Sequence, residues 1–139
     1  RSNMLVAMGS SAFQKGLGAI HSLSHPVGAI YNTHHGLTNA VFMPYVLVKN
    51  KNDIEEKVIA ISRYINLKQY TFDSFLEWIL QLRKDLLIPH TLKELIEDDS
   101  KFNTMSKMAL DDPSTGGNPT KLSQKDFEIL YQNAYDGKL

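Results

Sequence analysis

Apolar residues recur at three- and four-residue intervals along most of this chain, and they do not alternate with polar ones in the two-residue rhythm of a half-buried strand. That pattern predicts helices throughout. From Met4 to Phe13 the residues Met4, Leu5, Val6, Met8, Ala12 and Phe13 suit a buried helix, which Gly16-Leu17-Gly18 then punctuates. A second helix is predicted over about Ala19 to Tyr31, with Pro26 inside it removing a backbone hydrogen bond and bending the axis. Asn32 and Thr33 end it. A third starts near His35-Gly36, carries Leu37, Ala40, Val41, Val46 and Leu47, and bends again at Pro44. The β-rich patch from Val41 to Val48 reads as part of that buried helix.

Beyond Lys49 the pattern becomes that of ordinary amphipathic helices. Asn52 can cap a helix whose third position is Glu55, with Ile54, Val58, Ile61 and Ile65 in one apolar stripe. Thr71 opens another, with Phe72, Phe75, Leu76, Ile79, Leu82 and Leu86 inward until Pro89. Thr91 and Glu94 form a capping box for a short helix through Leu95 and Ile96, and Lys101 to Ala109 makes a further amphipathic segment. Asp111 to Pro119, rich in Pro, Gly, Ser and Asp, reads as a loop, with Gly116-Gly117 as a linker. Ser123 and Asp126 begin a last helix with Phe127, Leu130, Tyr131 and Ala134 inward, which Gly137 ends. The fold class is therefore all-α, a bundle of about six to eight helices.

Composition narrows the partners. Fifteen basic residues balance fifteen acidic ones, so no global field draws a polyanion, and neither nucleic acid nor an anionic membrane is an expected partner. The absence of cysteine removes disulfides, thiolate metal sites and thiol nucleophiles. No apolar run approaches the length of about twenty residues that a membrane span requires. No signal peptide shows in Arg1 to Gly9, and a cytoplasmic location is the default expectation. With 139 residues the chain is of one-domain size, and its start without methionine suggests a piece of a larger polypeptide.

The chemistry collects in one stretch. Gly16 to Pro44 holds His21, His25, His34 and His35, leaving only His90 elsewhere. His21 and His25 are four apart and share a face of the predicted helix, and no Lys, Arg, Asp or Glu occurs from Gly16 to Tyr45. Imidazoles on so apolar a helix need partners: a metal, a ligand or one another. A helical pair with a third histidine returning from the next loop can converge on one ion. A single histidine on such a face is commonly a hydrogen-bonded core residue, and spacing alone leaves both readings open. No G-x-G-x-x-G or P-loop is present, and Gly16-Leu17-Gly18 has no strand before it.

The string KGLGAIHSLSHPVGAIYNTHHGLTNAV resembles the second signature region of the iron-containing alcohol dehydrogenases, an H-x-x-x-H-P-x-G segment followed by T-x-H-G-x-x-N-A. Tyr45-Val46-Leu47 and the tail Asp112 to Pro119 are similar to the same family, so that the likeness spans essentially the whole chain. It implies residues 1–139 as the all-helical C-terminal domain of a two-domain enzyme. It also implies His21 and His35 as metal-binding residues and His25 as a residue beside the nicotinamide, concerned with proton movement. His34 stands where the family often has proline and is expected to line the pocket or support a ligand, and His90 to lie at the surface or cap a helix.

What the resemblance implies about activity is oxidation of an alcohol to an aldehyde or ketone, with hydride passing to NAD or NADP and Fe2+, or alternatively Zn2+, polarising the alcohol oxygen. The family's remaining ligands, an aspartate and a third histidine, lie upstream of this region, and its dinucleotide site lies on a separate α/β domain. Alone, this chain is expected to bind metal poorly and to be inactive. A homodimer or higher oligomer is the expected assembly. Two other readings stand beside this one: a zinc polyol dehydrogenase of glycerol dehydrogenase type, and a non-enzymatic helical module that senses metal or pH.

Overall fold

The computed structural model describes residues 4, 7, 9–11, 14 and 16–139, and among these there are helices and turns but no strand. From residue 16 onward six α-helices follow one another: α1 (Ala19–Tyr31), α2 (His35–Lys49), α3 (Lys51–Tyr64), α4 (Phe72–Asp85), α5 (Phe102–Asp111) and α6 (Gln124–Asp136). Short 3-10 turns over Leu92–Glu94 and Pro113–Gly117 complete them. The all-α expectation holds. The buried helix expected over Met4 to Phe13 rests on Leu5, Val6, Met8, Ala12 and Phe13, which lie outside the described residues, while Met4 itself is exposed.

The two site helices begin and end as their sequences dictate. Gly18 precedes α1, whose first amide, on Ala19, donates to Asn118 Oδ1 at 3.2 Å, and Asn32 closes it in the left-handed conformation at φ 53°. The His34 side chain caps α2 by accepting from the Leu37 amide at 3.3 Å. Pro26 and Pro44 are both carried inside continuous helices. Asn50 alone separates α2 from α3. At the far end of the chain, Ser123 and Asp126 form the expected capping box of α6, and Gly137 ends it at φ 74°, a conformation that suits a residue with no Cβ.

The main core lies between α1, α2, α5 and α6. Leu23, Val27, Phe42, Met105, Phe127 and Tyr131 are fully buried there, each such apolar side chain contributing about 1.5–3 kcal/mol. The Tyr131 hydroxyl donates to the Leu23 carbonyl at 2.8 Å, so the polar tip of this buried ring is paired. A second, smaller cluster of Val58, Phe72, Phe75 and Ile79 joins α3 to α4. Arg83 ties the two together: it is 5% exposed, and its Nη2 donates to the Pro89 carbonyl at 2.8 Å and the Val41 carbonyl at 3.3 Å.

Several positions depart from the pattern. Asn52 lies in the first turn of α3 instead of capping it, because Asn50 holds the junction and pairs its side-chain amide with that of Asn118. Ile61, Leu82 and Leu86, expected inward, are 45%, 40% and 61% exposed, since α3 and α4 are covered on one side only. Thr91 meets Glu94 side chain to side chain at 3.5 Å, and a 3-10 turn stands where a short α-helix was expected. The segment read as a linker is packed: a Cβ on Gly117 would collide with the Leu17 carbonyl, so only glycine lets this turn approach the start of α1.

Candidate functional site

The face that α1 and α2 turn outward carries three imidazoles in contact. His21 and His25 stand one helical turn apart on α1, and the cap formed by His34 starts α2 so that His35 meets them. Ring centroids are 5.2 Å apart for His21 and His35, 5.2 Å for His25 and His35, and 6.1 Å for His21 and His25. His25 and His35 are stacked at 16°. The sequence leads one to expect a helix buried on nearly all sides; instead the inner face of α1 is fully buried through Ala19, Leu23 and Val27, while the His25 side chain is 42% exposed. The structure therefore brings His21, His25 and His35 together and leaves them accessible.

Two residues that the sequence did not single out complete the arrangement. Asn39, four positions after His35 on α2, places Nδ2 3.0 Å from His35 Nε2 and 3.3 Å from His21 Nε2. Among the described residues its Oδ1 is buried without a partner. Asp112 reaches from the junction of α5 and the Pro113–Gly117 turn to place Oδ2 2.7 Å from His25 Nδ1, and its Oδ1 accepts from the Ser114 amide at 2.8 Å. Asn39 sits inside the recognised motif, but its contacts depend on how α1 and α2 pack. Asp112 is 87 positions from His25, a separation across which no local pattern speaks.

The electrostatics favour neutral imidazole at His21 and a charged carboxylate at Asp112. Burial pulls the His21 pKa below its ordinary value, the positive charges of His35 and His25 pull the same way, and Asp112 opposes them. At Asp112 burial pushes upward, but hydrogen bonds from His25 and from the Ser114 amide and hydroxyl outweigh it, and the carboxyl titrates below the usual range. Neutral imidazole is the form that can donate a lone pair to a cation. Among the described residues, no set of three or more His, Asp or Glu side chains is arranged to hold a metal ion. What stands there is a pair of imidazole nitrogens converging on one amide.

His34 and His90 lie apart from this cluster. His34 was expected to line the pocket or support a ligand, but it is exposed and serves as the cap of α2 through Nδ1. His90 is an exposed residue at a turn, and its backbone carbonyl accepts from Tyr45 Oη at 2.6 Å. An open cleft of about 530 Å³ adjoins His21, walled by Gly18, Val46, Ile54 and the paired Asn50 and Asn118. That volume falls within the range of small-molecule sites.

An all-helical domain with an open cluster of imidazoles on one face is the class that the fold and the site define. Residues 1–135 match the family "Fe-containing alcohol dehydrogenase family, C-terminal", and the chain belongs to it. It is 33% identical over 126 residues to lactaldehyde reductase of Escherichia coli strain K12, which covers 86% of this chain and 33% of that protein. It is also 33% identical over 129 residues to the NADPH-dependent butanol dehydrogenase of Clostridium saccharobutylicum, covering 87% and 33%. Its fold matches a crystal structure of 1,3-propanediol oxidoreductase with a TM-score of 0.81 and 27% identity, over 86% of this chain and 33% of that one. The chain thus spans about a third of the length of these relatives. None of the described helices is long and apolar enough to cross a membrane.

Proposed function

We propose that this chain is the C-terminal, cation-binding part of an NAD(P)-dependent alcohol dehydrogenase acting on a small alcohol or its aldehyde. The observation that carries the reading is the convergence of His21 Nε2 and His35 Nε2 on the one amide nitrogen of Asn39, at 3.3 and 3.0 Å. Two lone pairs aimed at a common point are what a divalent cation requires of its ligands, and imidazole suits iron and zinc alike. His21 and His35 would hold the ion, as part of a set completed from outside these residues. Held there, such an ion would supply Lewis-acid polarisation of an alcohol oxygen, and a nicotinamide bound outside these residues would supply the hydride chemistry.

The chain's own part is to aim and to move a proton. His25 stacks on His35 with its side chain 42% exposed, so a proton received at its imidazole has a path to water. Relatives named for lactaldehyde, butanol and 1,3-propanediol support a small alcohol or aldehyde as the substrate class. The cleft beside His21 has room for such a molecule.

In a complete enzyme carrying this chain, His21→Ala or His35→Ala is expected to remove metal and activity together. His25→Ala is expected to keep the metal and slow turnover by about a hundredfold or more. Metal analysis that finds His35→Ala fully loaded contradicts the assignment. A chain that binds cation tightly by itself and changes helicity or association on titration would favour the sensing module instead.

A further inference from the structure

We propose that Asp112 is a positioning residue for His25: its carboxylate fixes the imidazole in the tautomer with hydrogen on Nδ1 and presents Nε2 as the proton acceptor. This rests on the reading of His25 as the group that moves the proton. The 2.7 Å contact between Asp112 Oδ2 and His25 Nδ1 requires hydrogen on Nδ1, because an ionised carboxylate only accepts. In the neutral ring Nε2 is then left with a lone pair.

The carboxylate is itself held in place. Its Oδ1 accepts from the Ser114 amide at 2.8 Å, which caps the Pro113–Gly117 turn. That turn is pinned in its own right. Thr115 Oγ1 lies 2.7 Å from Ser22 Oγ on α1 and 2.6 Å from the Ala109 carbonyl on α5, and Gly117 abuts Leu17. Asp112 therefore has a fixed place relative to α1, although it comes from the far end of the chain. Among the described residues the His25 ring has no other hydrogen-bond partner. Without Asp112, its rotamer and its tautomer would rest on stacking against His35 alone, which is indifferent to where the hydrogen sits. A carboxylate that orients an imidazole and sets its tautomer is the role the aspartate plays in a serine-protease triad, where the amide variant gives the wrong tautomer.

The test joins a spectroscopic signature to a kinetic one. In the 15N-labelled chain at about pH 8, His25 is expected to show a protonated Nδ1 and an unprotonated Nε2. In Asp112→Asn the amide can donate to Nδ1, and the signature should invert to hydrogen on Nε2. Asn keeps the cap to Ser114, so the fold persists; Asp112→Ala, expected to give a mixture of tautomers, serves as the second variant. In the complete enzyme, Asp112→Asn should lower kcat about 10- to 100-fold with KM and metal content unchanged. A His25 already protonated on Nε2 in the unsubstituted chain, or a tautomer unmoved by both substitutions, overturns the proposal and leaves the cation reading standing. An inverted tautomer with kcat unchanged, in an enzyme where His25→Ala also keeps full turnover, overturns instead the proton-moving role of His25.

Discussion

The half of the molecule that carries the imidazoles and the half that does not are built differently. Around α1, α2, α5 and α6 the apolar layer is threaded with long-range polar ties: Tyr131 to Leu23, Tyr45 to His90, Lys49 to Asp126, and the reciprocal amides of Asn50 and Asn118. The pair of α3 and α4 is joined by four buried apolar residues and leaves Tyr64, Trp78, Leu86 and Leu87 exposed. The contrast teaches what an open polar site demands of its scaffold. Two of the three imidazoles, His25 and His35, are exposed and His21 is only partly buried, so their places are set by the rigid layer beneath them. The helix pair carries no such cluster and tolerates an uncovered side.

Substitutions in the two halves should therefore diverge. Phe127→Ala, in the fully buried layer, is expected to cost about 3–5 kcal/mol by denaturant unfolding. Gly117→Ala forces the turn away from Leu17 and should cost about 1–3 kcal/mol, while also displacing Asp112 from His25. Tyr131→Phe removes one buried hydrogen bond and should cost about 0.5–1.5 kcal/mol. Ile61→Ser on α3 should change stability by no more than about 0.5 kcal/mol. An Ile61→Ser cost equal to that of Phe127→Ala would erase the distinction.

The site half should also respond to pH in a stated direction. Folded His21 titrates below its ordinary value of 6.5, so between the two values the unfolded chain holds more protons than the folded one. The contribution of neutral His21 is complete above about pH 6.5 and is lost as pH falls through its folded value. Asp126, held down to about 2 first by hydrogen bonding to Lys49 and then by Ser123, adds stability above its ordinary 3.8 that is lost on further acidification. His35→Ala removes a repelling charge and should move the His21 pKa upward, as followed by its ring carbon proton in an NMR titration. Asn39→Asp would add a carboxylate to the two imidazoles, and Zn2+ affinity by calorimetry should rise about tenfold or more.

Much of the site half could be read from the residues. The bounds of α1 and α2, the cap at Ser123 and the inward face of α6 follow from local pattern, since capping and helical periodicity are written within a few positions. The meeting of His21, His25 and His35 follows from one helical turn and a short reversal. Asp112 escaped because a loop aspartate has no partner until α5 and its turn fold against α1, and Asn39 because its role lies across two helices. Ile61, Leu82 and Leu86 were read as inward because a periodic stripe says which residues share a face, and not whether anything covers it.

A Co2+ titration of the 15N-labelled chain decides whether His21 and His35 form the two-nitrogen cation site that we propose for this domain. The ring signals of His21 and His35 should be perturbed first and together through Nε2, with His34 and His90 unaffected. Perturbation that begins at His34, at His90 or at scattered surface carboxylates, with His21 and His35 unmoved, would contradict it.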